Sequence, residues 1–347
     1  MYSSKIFSTS LPKLCKINVG TYVPQRNVQV SIIGAAGEVG ANVALLVKQN
    51  LKVKKLQLYD DNEKVIGIGY ELNHISGGPP VFTYAGDSCL GTAIQLSDLV
   101  VMVARIPRKP GNTRYQMIGA NAPGVLRLCR AMADKNNHAL FAIATNPVNS
   151  LLPFATALMF KYGCYNPFKL FGVTNIDSAR SRAYAASVLG VSARDLYVPV
   201  IGGHSDETTV PLYSNLTPSQ FQLDACQGET LTRLVRKAGT EVVNHKDGTE
   251  SATLAVAWAI NEFIEALVDA ILGNEVMVHC YTANPHYGTR FFSGPTKIGQ
   301  DGIIQTCRDL PMSDHENYLL NCSIPVLNQE VIHGEEFVQY IENARRK

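Results

Sequence analysis

Charge is scarce in this chain: Asp, Glu, Lys and Arg together make up 17% of its 347 residues, against roughly 25% in ordinary soluble proteins. The formal net charge is only +2, which offers no basic face for nucleic acid. Long hydrophobic runs are missing too. Stretches such as Leu99 to Ala104 fall far short of the roughly 18 apolar residues that span a bilayer, so no membrane segment is expected. The eight cysteines are scattered, with no CxxC and no Cys/His pair at zinc-finger spacing. That excludes a disulfide framework and a structural zinc, and makes a reducing compartment the default. No metal site is expected. Hydrophobic residues at 46% are enough for a sizeable core and exclude intrinsic disorder as the main state.

Acidic residues are absent from the N-terminus up to Glu38, whereas Lys5, Lys13, Lys16 and Arg26 all precede it. The first 27 residues are basic and rich in hydroxyls, with Ile6, Phe7, Leu11 and Leu14 between the lysines. This is the composition of a mitochondrial transit peptide. A single arginine and the helix-breaking Pro12 leave a plain N-terminal tail as the other reading. Either way the segment is set outside the fold.

From Val28 the pattern is regular. VQVSII is a β-branched run, GAAGEVG follows, ANVALLVKQN has helical spacing, and LQLY is a second strand with Asp60 at its tip. This is a βαβ unit. Buried-type strands at Leu99–Ala104 and Leu140–Ala144 flank a helical stretch from Tyr115 to Lys135. Strands alternating with helices imply a parallel, doubly wound sheet. A second region is expected from residue 149, dividing the chain into 28–148 and 149–347. It holds a helix at Ser150–Tyr162, a polar helix from Asp177, long helices at Glu229–His245 and Ser251–Leu272, strands at VMVHCY and RFFSGP, and a terminal helix from Glu335.

Gly34, Gly37 and Gly40 lie between a strand and a helix. Missing side chains there permit a tight turn and let backbone N–H groups approach a pyrophosphate at the helix N-terminus. Asp60 ends the next strand, where a carboxylate accepts hydrogen bonds from ribose hydroxyls. Asp61 adds charge that would repel a 2′-phosphate, so NAD is expected over NADP. Arg108 and Arg114 sit in RIPRKPGNTR, a loop leaving the carboxyl end of a strand. Two guanidinium forks there suit a ligand with two carboxylates, though an arginine taken singly is more often a solvated surface charge. Asp177 and Arg180 form an i, i+3 pair opening a helix, and His204 follows two glycines.

GAAGEVG, LYD, PRKPGNTR, ATNPVNS, LFGVTNIDSARS, PVIGGHS and SATL together resemble the malate dehydrogenases, most closely the mitochondrial and bacterial branch, from about Val28 to the C-terminus. The resemblance implies a Rossmann-type doubly wound parallel sheet with a C-terminal α+β substrate domain, NAD as cofactor, malate or oxaloacetate as substrate, a homodimer, and the mitochondrial matrix as location. It implies His204 as general acid/base, Asp177 as its orienting carboxylate and Arg180 as clamp on the substrate's first carboxylate. Arg108 would read the distal carboxylate, Arg114 polarise the reacting carbonyl, and Asn146 face both substrate and nicotinamide. The cofactor would be held by Gly34, Ala35, Ala36, Gly37, Glu38, Val39, Gly40, Asp60, Asn121, Ala144, Asn146 and Val256.

Four positions depart from the family pattern. Arg105 stands where a glycine is usual and is expected to crowd the cofactor; Asp206 replaces a glycine two residues beyond the histidine and is expected to repel an anionic substrate. Glu38 puts an acid in the glycine loop, and Val256 replaces a methionine. Besides a working enzyme, these departures allow a catalytically impaired paralogue acting as a binding or structural protein. A 2-hydroxy-acid dehydrogenase for a monocarboxylate would leave Arg108 unpaired.

Overall fold

The computed structural model describes residues 27–106, 114–248 and 250–346. The transit-peptide reading, apart from Asn27, and the assignment of Arg108 both lie outside the described residues. Strand β1 (Val28–Ile33) runs into helix α1 (Glu38–Val47), and β2 (Val53–Asp60) returns parallel to β1. Helix α2 (Lys64–Leu72) leads to β3 (Val81–Ala85), helix α3 (Leu90–Ile94) to β4 (Leu99–Met102), and α4 (Arg114–Lys135) to β5 (Leu140–Ile143). After α5 (Val148–Lys161) comes β6 (Leu170–Val173), parallel to β5. The order in the sheet is β3-β2-β1-β4-β5-β6. The parallel part therefore includes β6, on the far side of the division expected at 148/149.

The period-2 alternation of these strands decides which helices they hold. Val30 and Ile32, Leu99 and Val101, and Leu140 and Ala142 face one way. Val100 and Met102, with Phe141 and Ile143, face the other. On the first face α1 lays down Val39, Val43 and Val47, spaced four apart on one helical stripe. On the second, α4 and α5 bring Ile118, Val125, Leu151 and Phe154. Both faces are covered, so the strands read as continuous apolar runs rather than half-polar ones.

The rest of the chain continues the same sheet with antiparallel strands. Helix α6 (Asn175–Leu189) precedes β7 (Val200–Gly202) and β8 (Thr209–Pro211); α7 (Ala225–His245) and α8 (Leu254–Ile271) precede β9 (Val276–Ala283), β10 (Phe291–Gly299) and β11 (Gly302–Thr306). β9 pairs with β6 and β10, which joins the halves in one sheet. The last helix, α9 (Asp314–Arg346), begins well before the expected Glu335. Pro325 and Gly334 interrupt its pattern, yet Leu320, Leu327, Val331 and Phe337 are buried along it. Gly334 is a packing requirement: a Cβ there would stand 2.0 Å from the Ser150 carbonyl oxygen of α5. Among the described residues, no helix is long and apolar enough to cross a membrane.

Candidate functional site

The loops that leave the carboxyl ends of β1, β2, β4, β5 and β6 gather at one edge of the sheet, where ligands of open α/β sheets bind. At β1, Gly34 has φ +95°, and a Cβ on it would lie 2.3 Å from Ala104 Cα. A Cβ on Gly40 would lie 2.1 Å from the Gly34 carbonyl oxygen. Those two glycines are required by the protein itself. Gly37 is not: its Cβ would meet only the Gly34 oxygen, at 3.5 Å. Gly37 is the N-cap of α1 and provides no side-chain hydrogen bond to the helix. Open N–H donors at an exposed helix start, without a side chain over them, fit a diphosphate. Ala35 and Val39, expected at the cofactor, have buried side chains that pack on the sheet; only their backbone is available to a ligand. Glu38 is exposed in the first turn.

Asp60 closes the loop from β2. Its Oδ2 accepts a hydrogen bond from the Ala36 N–H at 2.9 Å, and its Oδ1 one from Asn62 at 3.0 Å. Asp61 does not add the free charge expected of it. It is ion-paired to Arg127, which also reaches Asp87 at 2.8 Å, and it accepts a hydrogen bond from the Tyr59 hydroxyl at 2.7 Å. The Arg127 guanidinium holds the Asp61 carboxyl below the usual range. Any preference against a 2′-phosphate therefore rests mainly on Asp60.

A cavity of about 240 Å³ is lined by Arg105, Ala144, Asn146, Asp177, Arg180, His204, Asp206, Arg236 and Val256 among others. Asp177, in the first turn of α6, is buried and sets its Oδ2 2.6 Å from Nδ1 of His204. Arg180 lies one turn on, its guanidinium 3.8 Å from Oδ1 of the same carboxylate. His204 is held from behind as well: its backbone N–H donates to Asn149 Oδ1 at 2.8 Å, and Asn149 donates to Glu330 of α9 at 2.7 Å. With Nδ1 engaged, Nε2 is the nitrogen left for a ligand. Asn149 and Glu330 were not singled out from the sequence, because nothing local ties Asn149 to a histidine 55 residues on, or to a glutamate 181 residues on.

Asn146 is exposed at the cavity. Asn121 is a brace: buried, it donates from Nδ2 to the Asn146 and Met117 carbonyls and accepts from the Ile106 N–H at 2.7 Å. Both of its N–H groups go to backbone, so it shapes the cleft by pinning two loops together. Arg114 opens α4. Arg105, expected to crowd the cofactor, lines the cavity. Its Nη2 donates to the Ala252 carbonyl at 3.1 Å, joining the loop after β4 to the approach of α8. Burial works against its charge, and Glu38 works for it. Arg236 was read from sequence only as part of a helix. The available signal was its place among Gly239, Thr240 and Val243 on one helical stripe. Among the described residues, no group of three or more His, Cys, Asp or Glu could hold a metal ion.

A doubly wound sheet with an uncapped glycine loop at its edge, opening beside an aspartate–histidine pair, has the form of a dinucleotide-dependent oxidoreductase. Residues 28–172 match the family model described as lactate/malate dehydrogenase, NAD binding domain, and residues 174–338 match its alpha/beta C-terminal domain. The chain belongs to the lactate/malate dehydrogenase family. It is 38% identical over 317 residues to the mitochondrial malate dehydrogenase of Sus scrofa, covering 91% of this chain and 93% of that one. It is 37% identical over 320 residues to the Homo sapiens mitochondrial malate dehydrogenase, with 92% and 94% covered. A crystal structure of Cryptosporidium parvum malate dehydrogenase superposes with a TM-score of 0.77 at 26% identity, covering 90% of this chain and all of that one. The fold is shared with the lactate dehydrogenase of the same organism, at a TM-score of 0.76 and 24% identity over 89% of this chain and 98% of that one.

Proposed function

We propose that this protein is an NAD-dependent malate dehydrogenase, interconverting (S)-malate and oxaloacetate in the tricarboxylic acid cycle of the mitochondrial matrix. The observation that carries the reading is the His204–Asp177 pair, 2.6 Å apart, sharing one cavity with Arg180. Loss of hydride from C2 of a 2-hydroxy acid requires loss of the hydroxyl proton in the same event. His204 Nε2 takes that proton. Asp177 accepts the Nδ1 hydrogen bond, fixes the tautomer and stabilises the imidazolium. Arg180, which lines the cavity with its Nη1 3.8 Å from Asp177 Oδ1, binds the adjacent carboxylate. Asn146 offers its amide to the reacting oxygen, and Ala144 and Val256 form apolar wall.

Bound NAD supplies the hydride acceptor; the backbone from Gly34 to Gly40 and the Asp60 carboxylate would hold its diphosphate and ribose. By family resemblance, Arg108 reads the distal carboxylate and Arg114 polarises the carbonyl. Exposed apolar side chains on α2 (Ile66, Tyr70) and α8 (Leu254, Trp258) support a homodimer, since exposed apolar patches mark contact surfaces. The basic, acid-free N-terminus and the mitochondrial names of the relatives support the location.

Oxaloacetate-dependent NADH oxidation by the purified protein tests this reading. Turnover is expected with oxaloacetate and little with pyruvate, and His204→Gln should cut kcat by about a thousandfold. Tight NADH binding without turnover would instead favour the impaired paralogue.

A further inference from the structure

One face of α7 brings Val235, Arg236, Gly239, Thr240 and Val243 to the cavity. Arg236 is the cation in this otherwise apolar and small-residue wall. Its guanidinium is fixed, because Nε donates to the Thr209 carbonyl at 2.7 Å. Its Nη2 is buried without a hydrogen-bond partner. An orphaned donor of this kind is costly, so packing alone does not account for an arginine here.

The second observation is Asp206, which lines the same cavity three residues before Thr209, in the turn that follows His204. No contact ion pair joins Asp206 to Arg236; burial disfavours the guanidinium's charge, and Cys322, Glu207 and Asp206, in that order, favour it through space. The cavity lining holds Arg105, Arg180 and Arg236 against Asp177 and Asp206. With His204 neutral, Arg236 decides whether that lining carries net positive charge or none.

We propose that Arg236 is the counter-charge of Asp206, a positioning residue that keeps the His204 end of the cavity receptive to a dicarboxylate. This rests on the malate dehydrogenase reading. The carboxylate at position 206 is then tolerated because Arg236 offsets its field, and the two residues determine substrate affinity as a pair.

The test is a double-mutant cycle in oxaloacetate reduction, with NADH affinity measured alongside by fluorescence. Arg236→Gln should raise KM for oxaloacetate about tenfold while kcat stays within about threefold. Asp206→Asn alone should change KM by less than about twofold, because Arg236 already offsets the carboxylate, and the double variant should return to within about twofold of wild type. Coupling of about tenfold between the two positions is the expected reading. Arg236→Lys, which keeps the charge and changes the bond to Thr209, should rescue most of the KM effect. Additive effects, an unmoved KM, or a Lys variant as poor as Gln would overturn the proposal. If Arg236→Gln does not fold, Arg236→Lys with Asp206 present carries the test: a KM within about threefold of wild type supports the counter-charge, and a rise of about tenfold overturns it. If the wild type fails to reduce oxaloacetate, the dehydrogenase reading fails separately. Calorimetry of hydroxymalonate binding to the NADH-loaded variants then decides the counter-charge: the same ranking supports it, and equal affinities overturn it.

Discussion

At the end of β2, Asp60 and Asp61 carry the same charge but meet different partners. Asp60 accepts hydrogen bonds from Ala36 and Asn62 and keeps further lone pairs for a ligand at the glycine loop. Asp61 is taken up by Arg127 and Tyr59, so its field is largely cancelled where a cofactor ribose would lie. Asp60→Ser should therefore reduce the preference for NADH over NADPH by tenfold or more, on the order of 1.4 kcal/mol. Asp61→Asn should change the ratio by less than about threefold, as expected for a partly exposed, paired charge. The measurement is kcat/KM for both cofactors with each variant. A larger effect from Asp61 would return the selectivity to the free-charge picture. The adjacency of these residues to the glycine loop was legible in the sequence, since strand, turn and helix follow one another; the pairing with Arg127, 66 residues on, was not.

At the scale of the element, the start of α1 separates glycines that the fold needs from the one that a ligand needs. Gly40→Ala would press a Cβ against the Gly34 carbonyl, and overpacking against backbone costs about 1 to 3 kcal/mol, so a lowered denaturation midpoint is expected. Gly37 has an extended backbone, with φ −74° and ψ 159°, which any residue adopts. Serine is a favoured N-cap, so Gly37→Ser should hold or raise stability. Its hydroxyl would take the N–H donors meant for the diphosphate, and NADH affinity should fall by about tenfold or more. Paired thermal unfolding and NADH titration read both effects; a stable Gly37→Ser variant with unchanged affinity would remove the loop from the cofactor site. The elements near this loop were readable because their signals are local. Helix α9 was not, because its continuity through Pro325 and Gly334 depends on burial against α5, a contact that no local pattern encodes. His204 and Asp177 were joined by resemblance, and Arg236 by neither route, since a cation on a polar helix looks the same from sequence whether it faces solvent or a cavity.

For the molecule as a whole, the seam between the parallel and antiparallel halves is β9, and it carries a buried histidine. His279 is 4% exposed, its ring centroid 5.5 Å from that of Tyr197, and its Nε2 has no hydrogen-bond partner. Burial lowers its pKa to about 4, with Arg182 acting in the same direction and Asp177 against. The unfolded chain, with an ordinary histidine near 6.5, binds this proton first as pH falls. The folded state thus holds its full advantage above about pH 6.5 and loses it progressively down to about pH 4, a span worth about 3 kcal/mol. Protonation would place a cation inside the strand that ties the two halves together, close enough to Asp177 to disturb the carboxylate that orients His204. His279→Phe keeps a ring against Tyr197 and removes the titration. Between pH 7 and pH 4.5 the wild type should lose about 2 to 3 kcal/mol more stability than this variant, read as the difference in urea-unfolding free energies. If both proteins lose the same amount, acid sensitivity originates elsewhere, and the seam is not the acid-labile part of the fold.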